Sequence, residues 1–510
     1  MALLEVADLS VAIPTADGLV RAVDNVSFSV AAGEMFGIVG ESGSGKSVGM
    51  STLVGLMPGV RTSGHAHFEG RDLLAMDAEQ LRKLRGRHIG MIFQDPLSSL
   101  HPHFTIGWQI AEMVRAHEDV GRKEAKARAV SMLGRVGVPE PARRADDYPH
   151  QFSGGMRQRA MIAMALTLNP ELIIADEPTT ALDTTVQAQI LELFGSIREE
   201  FGTAVIMITH DLEVLADVAD RVMVMYAGRR MEIGTREDVL DRPRHPYTRG
   251  LLDSSPARNP SATRLRPIAG RPPSLIAPPD GCVFHPRCPV AIDSCHTSPP
   301  PTHGAGDEHA WTCRLDEETP VPQAPDPTPA PTPRAVPQPA TAPDPRPVLI
   351  RADDVVKTFG GSRRIGRQRD KAALRALDGV SLELRQGETF GLVGESGCGK
   401  STLARCLAGL HPMTSGRLEI NGTDVSTSDR RAWQSVRSDV QMVFQDPYGS
   451  LNPRRRVGSI IAEPFRIHGR ASGDGLRRSV QDLMEVVGLN PEHYNRFPAE
   501  FSGGQRQRIG

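Results

Sequence analysis

Three groups of residues in this 510-residue chain carry types and spacings that could do chemistry. The first is GESGSGKS at Gly40–Ser47, which follows the apolar run EMFGIVG and precedes a helix-forming stretch. Strand, glycine-rich loop and helix in that order make a P-loop, in which backbone N–H groups and a helix N-terminus cradle phosphate. Gly40, Gly43 and Gly45 let the backbone wrap tightly, Lys46 reaches the β/γ oxygens, and the Ser47 hydroxyl holds Mg2+. Ser42, Ser44 and Val48 complete the nucleotide-binding run. The second group is ELIIADEPTTALD at Glu171–Asp183. Its LIIA run suits a buried parallel strand, and Asp176 ends it where α/β ligand sites lie, placed to serve Mg2+. Glu177 is then positioned to polarise an attacking water, as phosphoryl transfer requires. TAVIMITHD repeats the pattern and sets His210 at a strand end facing the same crevice, where a lone histidine would read as a structural hydrogen-bonder. The third group is Cys282, Cys288, Cys295 and Cys313, spaced C-x5-C-x6-C-x17-C. This is not the paired C-x2-C of a zinc ribbon, yet four thiolates from one irregular loop suit a tetrahedral sulfur site for Zn2+ or an iron–sulfur cluster. Inert buried thiols are the alternative.

The elements that must position these groups occur twice. GESGCGKS at Gly394–Ser401 repeats the first loop, VFQDPYGSLNP at Val443–Pro453 repeats IFQDPLSSLHP at Ile92–Pro102, and FSGGQRQR at Phe501–Arg508 repeats FSGGMRQR at Phe152–Arg159. The lysines lie 354 positions apart, the glutamines 351 and the serines 349, so whole domains are duplicated. The second nucleotide-binding loop comprises Gly394, Ser396, Gly397, Cys398, Gly399, Lys400, Ser401 and Thr402, with Cys398 and Cys406 read as packing residues. The expected division is a first domain at 1–255, a Cys-rich module at 256–316, a Pro-rich linker at 317–347 and a second domain at 348–510. The linker alternates Pro, Ala, Thr and Asp, which favours polyproline II and leaves nothing apolar to bury. The second copy stops just past its FSGGQ, so it is expected to be truncated, to lack its own Asp-Glu pair and switch histidine, and to be poorly stable alone. Hydrolysis is accordingly expected at the first site only.

With Gln94 in FQDP, FSGGM at Phe152–Met156, ALD at Ala181–Asp183 and His210 added to the loop and the Asp-Glu pair, the set resembles an ABC ATPase. The resemblance covers both halves. It implies an α/β fold of tandem P-loop NTPase domains, each with a mixed sheet core, an antiparallel β subdomain and a helical signature subdomain. It implies ATP sandwiched between one P-loop and the opposite signature. Ser153, Gly154 and Gly155 would face the nucleotide on Lys400, and Ser502, Gly503, Gly504 and Gln505 that on Lys46. Gln94 and Gln445 would reach Mg2+, with Ser47, Asp176 and Ser401 as its other ligands, and Glu177, His210 and Gln94 would be catalytic. Phe359 would stack on adenine in the second copy, where the first has Ile13.

FQDP-x-x-SL-x-P in both copies, HPYTRGLL at His245–Leu252 and GCVFHPRCPVAIDSC…HAWTC at Gly281–Cys313 resemble, more closely, the ATPase subunits of oligopeptide/dipeptide-type importers, a group that includes nickel and glutathione systems. That implies an energy-coupling ATPase at the cytoplasmic face of the membrane. Two separate permease subunits and an external binding protein would be its partners, and the cysteines would hold a 4Fe–4S cluster, with Zn2+ as alternative. Composition agrees: 39% hydrophobic, 24% charged and a net charge of −2 exclude a basic nucleic-acid arm or an acidic solvating tail. No apolar run reaches about 18 residues, so no transmembrane helix is expected. MALLEVADLSV has no basic n-region, so it does not read as a secretory signal. A tandem ATPase of translation or DNA repair would need a nucleic-acid surface that this charge balance does not offer. An inactive or regulatory remnant would show no ATP turnover.

Overall fold

The run MFGIV forms a strand because every residue of it is apolar or small, and all five are buried. In the computed structural model, which describes residues 2–15, 18–180, 182–258, 266–304, 308–315, 346–360, 373–395, 397–427, 430–444, 450–470, 472–501 and 503–510, this strand lies at the centre of a mixed sheet. The chain divides into two units, Met1–Arg334 and Ala335–Gly510.

In the first unit, β1 (Ala2–Thr15), β2 (Gly18–Ala31), β4 (Arg61–Phe68) and β5 (Arg71–Asp72) form an antiparallel sheet in the order β2-β1-β4-β5. The main sheet takes β3 (Met35–Val39), β6 (Ile89–Ile92), β7 (Leu172–Asp176), β8 (Ala204–Thr209), β9 (Arg221–Tyr226), β10 (Arg229–Thr235), β11 (Thr302–His303) and β12 (His309–Thr312). Their order is β11-β12-β10-β9-β3-β8-β7-β6, parallel from β9 through β6 and antiparallel from β10 outward. Successive strand residues point to opposite faces. Met35, Val39, Val205 and Met207 join the core on one face, while Phe36, Ile38, Ile206 and Ile208 join the core on the other. Both faces are covered, which is why these strands read as unbroken apolar runs instead of alternating ones. Each such Val or Ile contributes roughly 1.5–3 kcal/mol by burial. The Cys-rich segment is stitched to this sheet, since its β12 pairs with β10 at Glu232–Gly234.

Helices Ile106–His117, Arg122–Arg135 and Gly154–Leu166 pack beside the sheet and carry the FSGGM segment. Thr105 caps the first of them and Ser153 the last, each side chain accepting a backbone N–H two or three residues into the helix.

The second unit, among the described residues, forms a single antiparallel sheet of β13 (Val348–Phe359), β14 (Leu374–Arg385), β15 (Ser415–Ile420) and β16 (Thr423–Asp424), in the order β14-β13-β15-β16. Ala352, Val355, Leu418 and Ile420 pack there against Leu403 and Cys406 of the helix Lys400–Leu407. A separate cluster of Val457, Ala462, Val480, Met484 and Phe501 joins the C-terminal helices. The mixed sheet expected in this copy is not formed by the described residues. Phe390–Val393, the counterpart of β3, is not a strand, and Val393 is 92% exposed. The physical reason lies in the strand order. β3 is bordered by β8 and β9, which follow the FSGGM helix in the first copy, whereas the sequence given for the second ends within that helix. Of the Pro-rich linker expected at 317–347, residues 317–345 lie outside the described residues.

Candidate active site

The loop after β3 turns through left-handed backbone at Gly43 and Gly45, and Gly40 stands at φ 155. A Cβ at Gly40 would sit 2.1 Å from the Met225 carbonyl oxygen, and one at Gly45 2.1 Å from that of Ala22. Neither position can carry a side chain, because strands β9 and β2 approach too closely. The helix Lys46–Leu53 then starts directly on the loop. Lys46 is buried, and its Nζ donates to the carbonyls of Gly40 (2.7 Å) and Glu41 (3.0 Å) and to Ser44 Oγ (3.2 Å). Burial pushes its ammonium below the ordinary lysine range, opposed by the charges of Glu177, Asp176 and Glu41. Ser42 and Gly43 are exposed and Val48 is half-buried.

β7 delivers Asp176 to the same place. Ser47 Oγ donates to Asp176 Oδ1 at 2.8 Å. Burial raises the Asp176 carboxyl, and the Ser47 hydrogen bond opposes it. Glu177 follows in left-handed backbone at φ 48, a strained conformation for a residue with a side chain, and its N–H is anchored on the Ile208 carbonyl at 2.9 Å. Three side chains hold its carboxylate: Gln94 Nε2 donates to Oε2 at 2.8 Å, Thr180 Oγ1 donates to Oε2 at 2.9 Å, and His210 Nδ1 lies 3.3 Å from Oε1. Burial alone would raise Glu177, but the His210 hydrogen bond and charge, Thr180 and Lys46 together bring it below the usual range. His210 is raised in turn, mainly by its hydrogen bond to Glu177.

Sequence reasoning therefore named Lys46, Ser47, Asp176, Glu177, Gln94 and His210, and the fold brings all six together. It missed Thr180, whose signal was the TT after Glu177-Pro178. Asp183 of the ALD segment caps the helix Thr184–Phe201, accepting the Val186 N–H at 2.9 Å; Ala181 lies outside the described residues. Ser153 and Gly154 are exposed at the start of their helix, and a Cβ on Gly155 would meet Val186 at 3.0 Å.

In the second copy, Gly394, Gly397 and Gly399 repeat the loop geometry, and Lys400 Nζ donates to the Gly394 (2.5 Å) and Glu395 (2.6 Å) carbonyls. Lys400 is half-exposed where Lys46 is buried. Cys398 is exposed and Cys406 buried. Ser401 and Thr402 open the helix, Ser401 exposed and Thr402 half-buried. Phe359 meets His411 edge to face at 5.6 Å and carries Lys357 over its ring at 4.9 Å. Gly503, Gly504 and Gln505 begin the helix Gly503–Ile509. Ser396, Gln445 and Ser502 lie outside the described residues.

Cys282, Cys288, Cys295 and Cys313 are all free and line one pocket with His245, Phe284 and His285. Burial raises the thiols of Cys282, Cys288 and Cys313, that of Cys288 to about 12. His245 is buried, and its Nδ1 accepts the Tyr247 N–H at 3.0 Å, which leaves the proton on Nε2. That Nε2 reaches no partner at good hydrogen-bond geometry, although the Thr312 backbone lies near enough to oppose slightly the burial that drives the ring's pKa down to about 3. Among the described residues no three His, Cys, Asp or Glu side chains stand close enough to hold a metal ion. The four thiols thus share one pocket without standing at the spacing that a single metal ion requires.

Comparison with known proteins adds to this geometry. The family described as ABC transporter matches residues 23–180 and 377–510, and that described as oligopeptide/dipeptide transporter, C-terminal region, matches residues 231–295. The chain is 45% identical over 518 residues to the oligopeptide transport ATP-binding protein OppD of Mycobacterium tuberculosis, covering 100% of this chain and 83% of that one. It is 40% identical over 519 residues to the glutathione import ATP-binding protein GsiA of Escherichia coli K12, covering 99% of this chain and 74% of that one. A solved dimer of an ATP-binding cassette bound to ADP and Pi matches with TM-score 0.43 and 28% identity, over 46% of this chain and 98% of that chain.

Proposed function

Because the chain belongs to the ABC transporter family, as an ATP-hydrolysing subunit that couples energy to import, we propose that its cargo is di- or oligopeptide and that hydrolysis runs at the site built on Lys46. Residues 231–295 and the name of the 45% identical relative support the peptide reading. The names of the 40% identical relatives favour glutathione as the second reading, and glutathione is itself a small peptide. Two separate permease subunits and an external binding protein would complete the importer, with this chain peripheral on the cytoplasmic face. Among the described residues no helix is long and apolar enough to cross a membrane. The working domains are 1–255, 256–316, 317–347 and 348–510.

The carboxylate cage around Glu177 carries the catalytic assignment. Lys46 Nζ donates to backbone carbonyls and Ser44 and is poised to exchange them for β/γ oxygens. Ser47 and Asp176 form a hard-oxygen pair of the kind that suits Mg2+, and Gln94 is held on the neighbouring Glu177; the buried Asp176 carboxyl gains from a cation there. When bound, Mg2+ neutralises charge on the phosphates. Glu177, kept ionised by His210 and Thr180, accepts a hydrogen bond from the attacking water and orients it. Gln94 bridges this carboxylate to the FQDP loop, so the loop can report nucleotide state to a partner. Glu177→Gln is expected to cut turnover by about a hundredfold or more while ATP still binds. Unchanged turnover in a steady-state ATPase assay would refute the role.

The four thiols are proposed to hold a 4Fe–4S cluster. Their shared pocket, which His245 and His285 also line, supports it. A single Zn2+ would need sulfurs about 3.8 Å apart, given Zn–S bonds of about 2.3 Å. Anaerobic purification with an iron assay and absorption spectrum tests this; stoichiometric zinc without iron would defeat it.

A further inference from the structure

Glu41, the second residue of the GESGSGKS loop, is gripped from three directions. Its carboxylate forms a two-point ion pair with Arg287, Nη1 to Oε2 at 2.6 Å and Nη2 to Oε1 at 2.9 Å. Its N–H donates to the Tyr247 hydroxyl at 2.9 Å, and its carbonyl accepts from Lys46 Nζ at 3.0 Å. Arg287 has a side chain only 4% exposed and is itself fixed, donating to the Tyr226 hydroxyl (3.2 Å), the Ala269 carbonyl (2.9 Å) and the Ile268 carbonyl (3.2 Å). Tyr226 and Tyr247 stand 4.6 Å apart between ring centres, and both pack on Phe284.

The Arg287 grip comes from the cysteine-bearing region and the Tyr247 grip from the HPY turn beside it, while the Lys46 contact is the loop's own. Arg287 immediately precedes Cys288, in the short helix His285–Arg287 between Cys282 and Cys288. Phe284 lines the cysteine pocket, as does His245, whose Nδ1 fixes the backbone N–H of Tyr247.

We propose that the cysteine-bearing segment is a positioning element of the first ATP site: Arg287 and Tyr247 hold Glu41, and through it set the P-loop backbone that receives phosphate. Arg287 and Tyr247 act through Glu41, whose carbonyl shares Lys46 Nζ with the Gly40 carbonyl and the Ser44 hydroxyl. A bidentate arginine–carboxylate pair fixes the loop in angle as well as distance, which a lysine at 287 could not do. If the thiols hold a cluster, a step that rests on the reading above, losing it would loosen residues 282–288 and weaken ATP binding at Lys46 without any change at the reacting atoms.

The test uses the full-length chain and steady-state ATPase kinetics, with thermal melting as the control for folding. Glu41→Gln, Tyr247→Phe and Arg287→Lys are each expected to raise KM for ATP about tenfold while kcat changes less than twofold. Glu41→Gln combined with Arg287→Lys should be no worse than either alone. Glu41→Gln and Tyr247→Phe keep size and shape, so they carry the test should Arg287→Lys fold poorly. Unchanged KM in variants with wild-type melting, or additive effects in the double variant, overturns the proposal. Cys288→Ser separates the two readings. If it leaves KM alone while Glu41→Gln raises it, the Arg287 clamp stands and the cluster-dependent step falls.

Discussion

A single carboxylate shows how the site handles protons. Glu177 lies below the ordinary glutamate range and His210 above the ordinary histidine range, each because of the other. A raised histidine contributes stability that is complete below its unfolded pKa of about 6.5 and is lost as pH rises through the folded value. A lowered glutamate contributes stability that is present above its unfolded value and is lost as pH falls through the folded one. The pair is therefore intact from mildly acidic to near-neutral pH. An NMR titration of the His210 ring in nucleotide-free protein should show a midpoint above 6.5 that drops toward 6.5 in Glu177→Gln; the same midpoint in both would break the link. The loop glycines make a second residue-scale case. Gly45→Ala drives a Cβ against the Ala22 carbonyl and should lower the melting temperature sharply, whereas Gly43→Ala meets nothing within 4 Å and should cost only the left-handed penalty of about 1–2 kcal/mol. Equal melting temperatures for the two would show that the close approach of β2 does not matter.

At the scale of elements, what the sequence made legible was local. MFGIV, LIIA and AVIMIT read as buried strands from composition alone, and the loop, the Asp-Glu pair and the strand-end histidine followed from their place after those strands. Ile206→Ala, at a fully buried β8 position facing the antiparallel sheet, should cost about 2–5 kcal/mol in denaturant unfolding. A loss under 1 kcal/mol would mean that the site collapses around the deletion. What stayed illegible depended on contacts distant in sequence. Arg287 and Glu41 are 246 positions apart, and no periodicity announces a salt bridge across that interval. β12 was hidden for the same reason: HAWT is too short to read as a strand, and it becomes one only by pairing with β10. The left-handed Glu177 was hidden because glutamate has no preference for that backbone, which the Ile208 carbonyl imposes.

For the whole molecule, the two units have separate cores, and they differ in how well apolar strand residues are covered. β3 is wholly buried, while Phe390, Leu392 and Val393 at the matching place are exposed. Unfolding of the full chain should therefore show two transitions, the lower belonging to residues 335–510. Trp433 packs on the core of that unit, so in a Trp108→Phe/Trp311→Phe variant its fluorescence should follow the lower transition while MgATP raises the upper one. A single coincident transition by fluorescence and calorimetry would contradict this. The strand order also sets a timetable for synthesis. β3 leaves the ribosome early, but its neighbours β8 and β9 are complete only at Tyr226, roughly 190 residues later, which at about 5–20 residues per second is about 10–40 s. For that interval Met35–Val39 is an unpaired apolar strand on a growing chain, and the sheet edge is closed only when Thr312 has emerged. The nascent first domain is thus a natural client for a chaperone long before it can bind nucleotide.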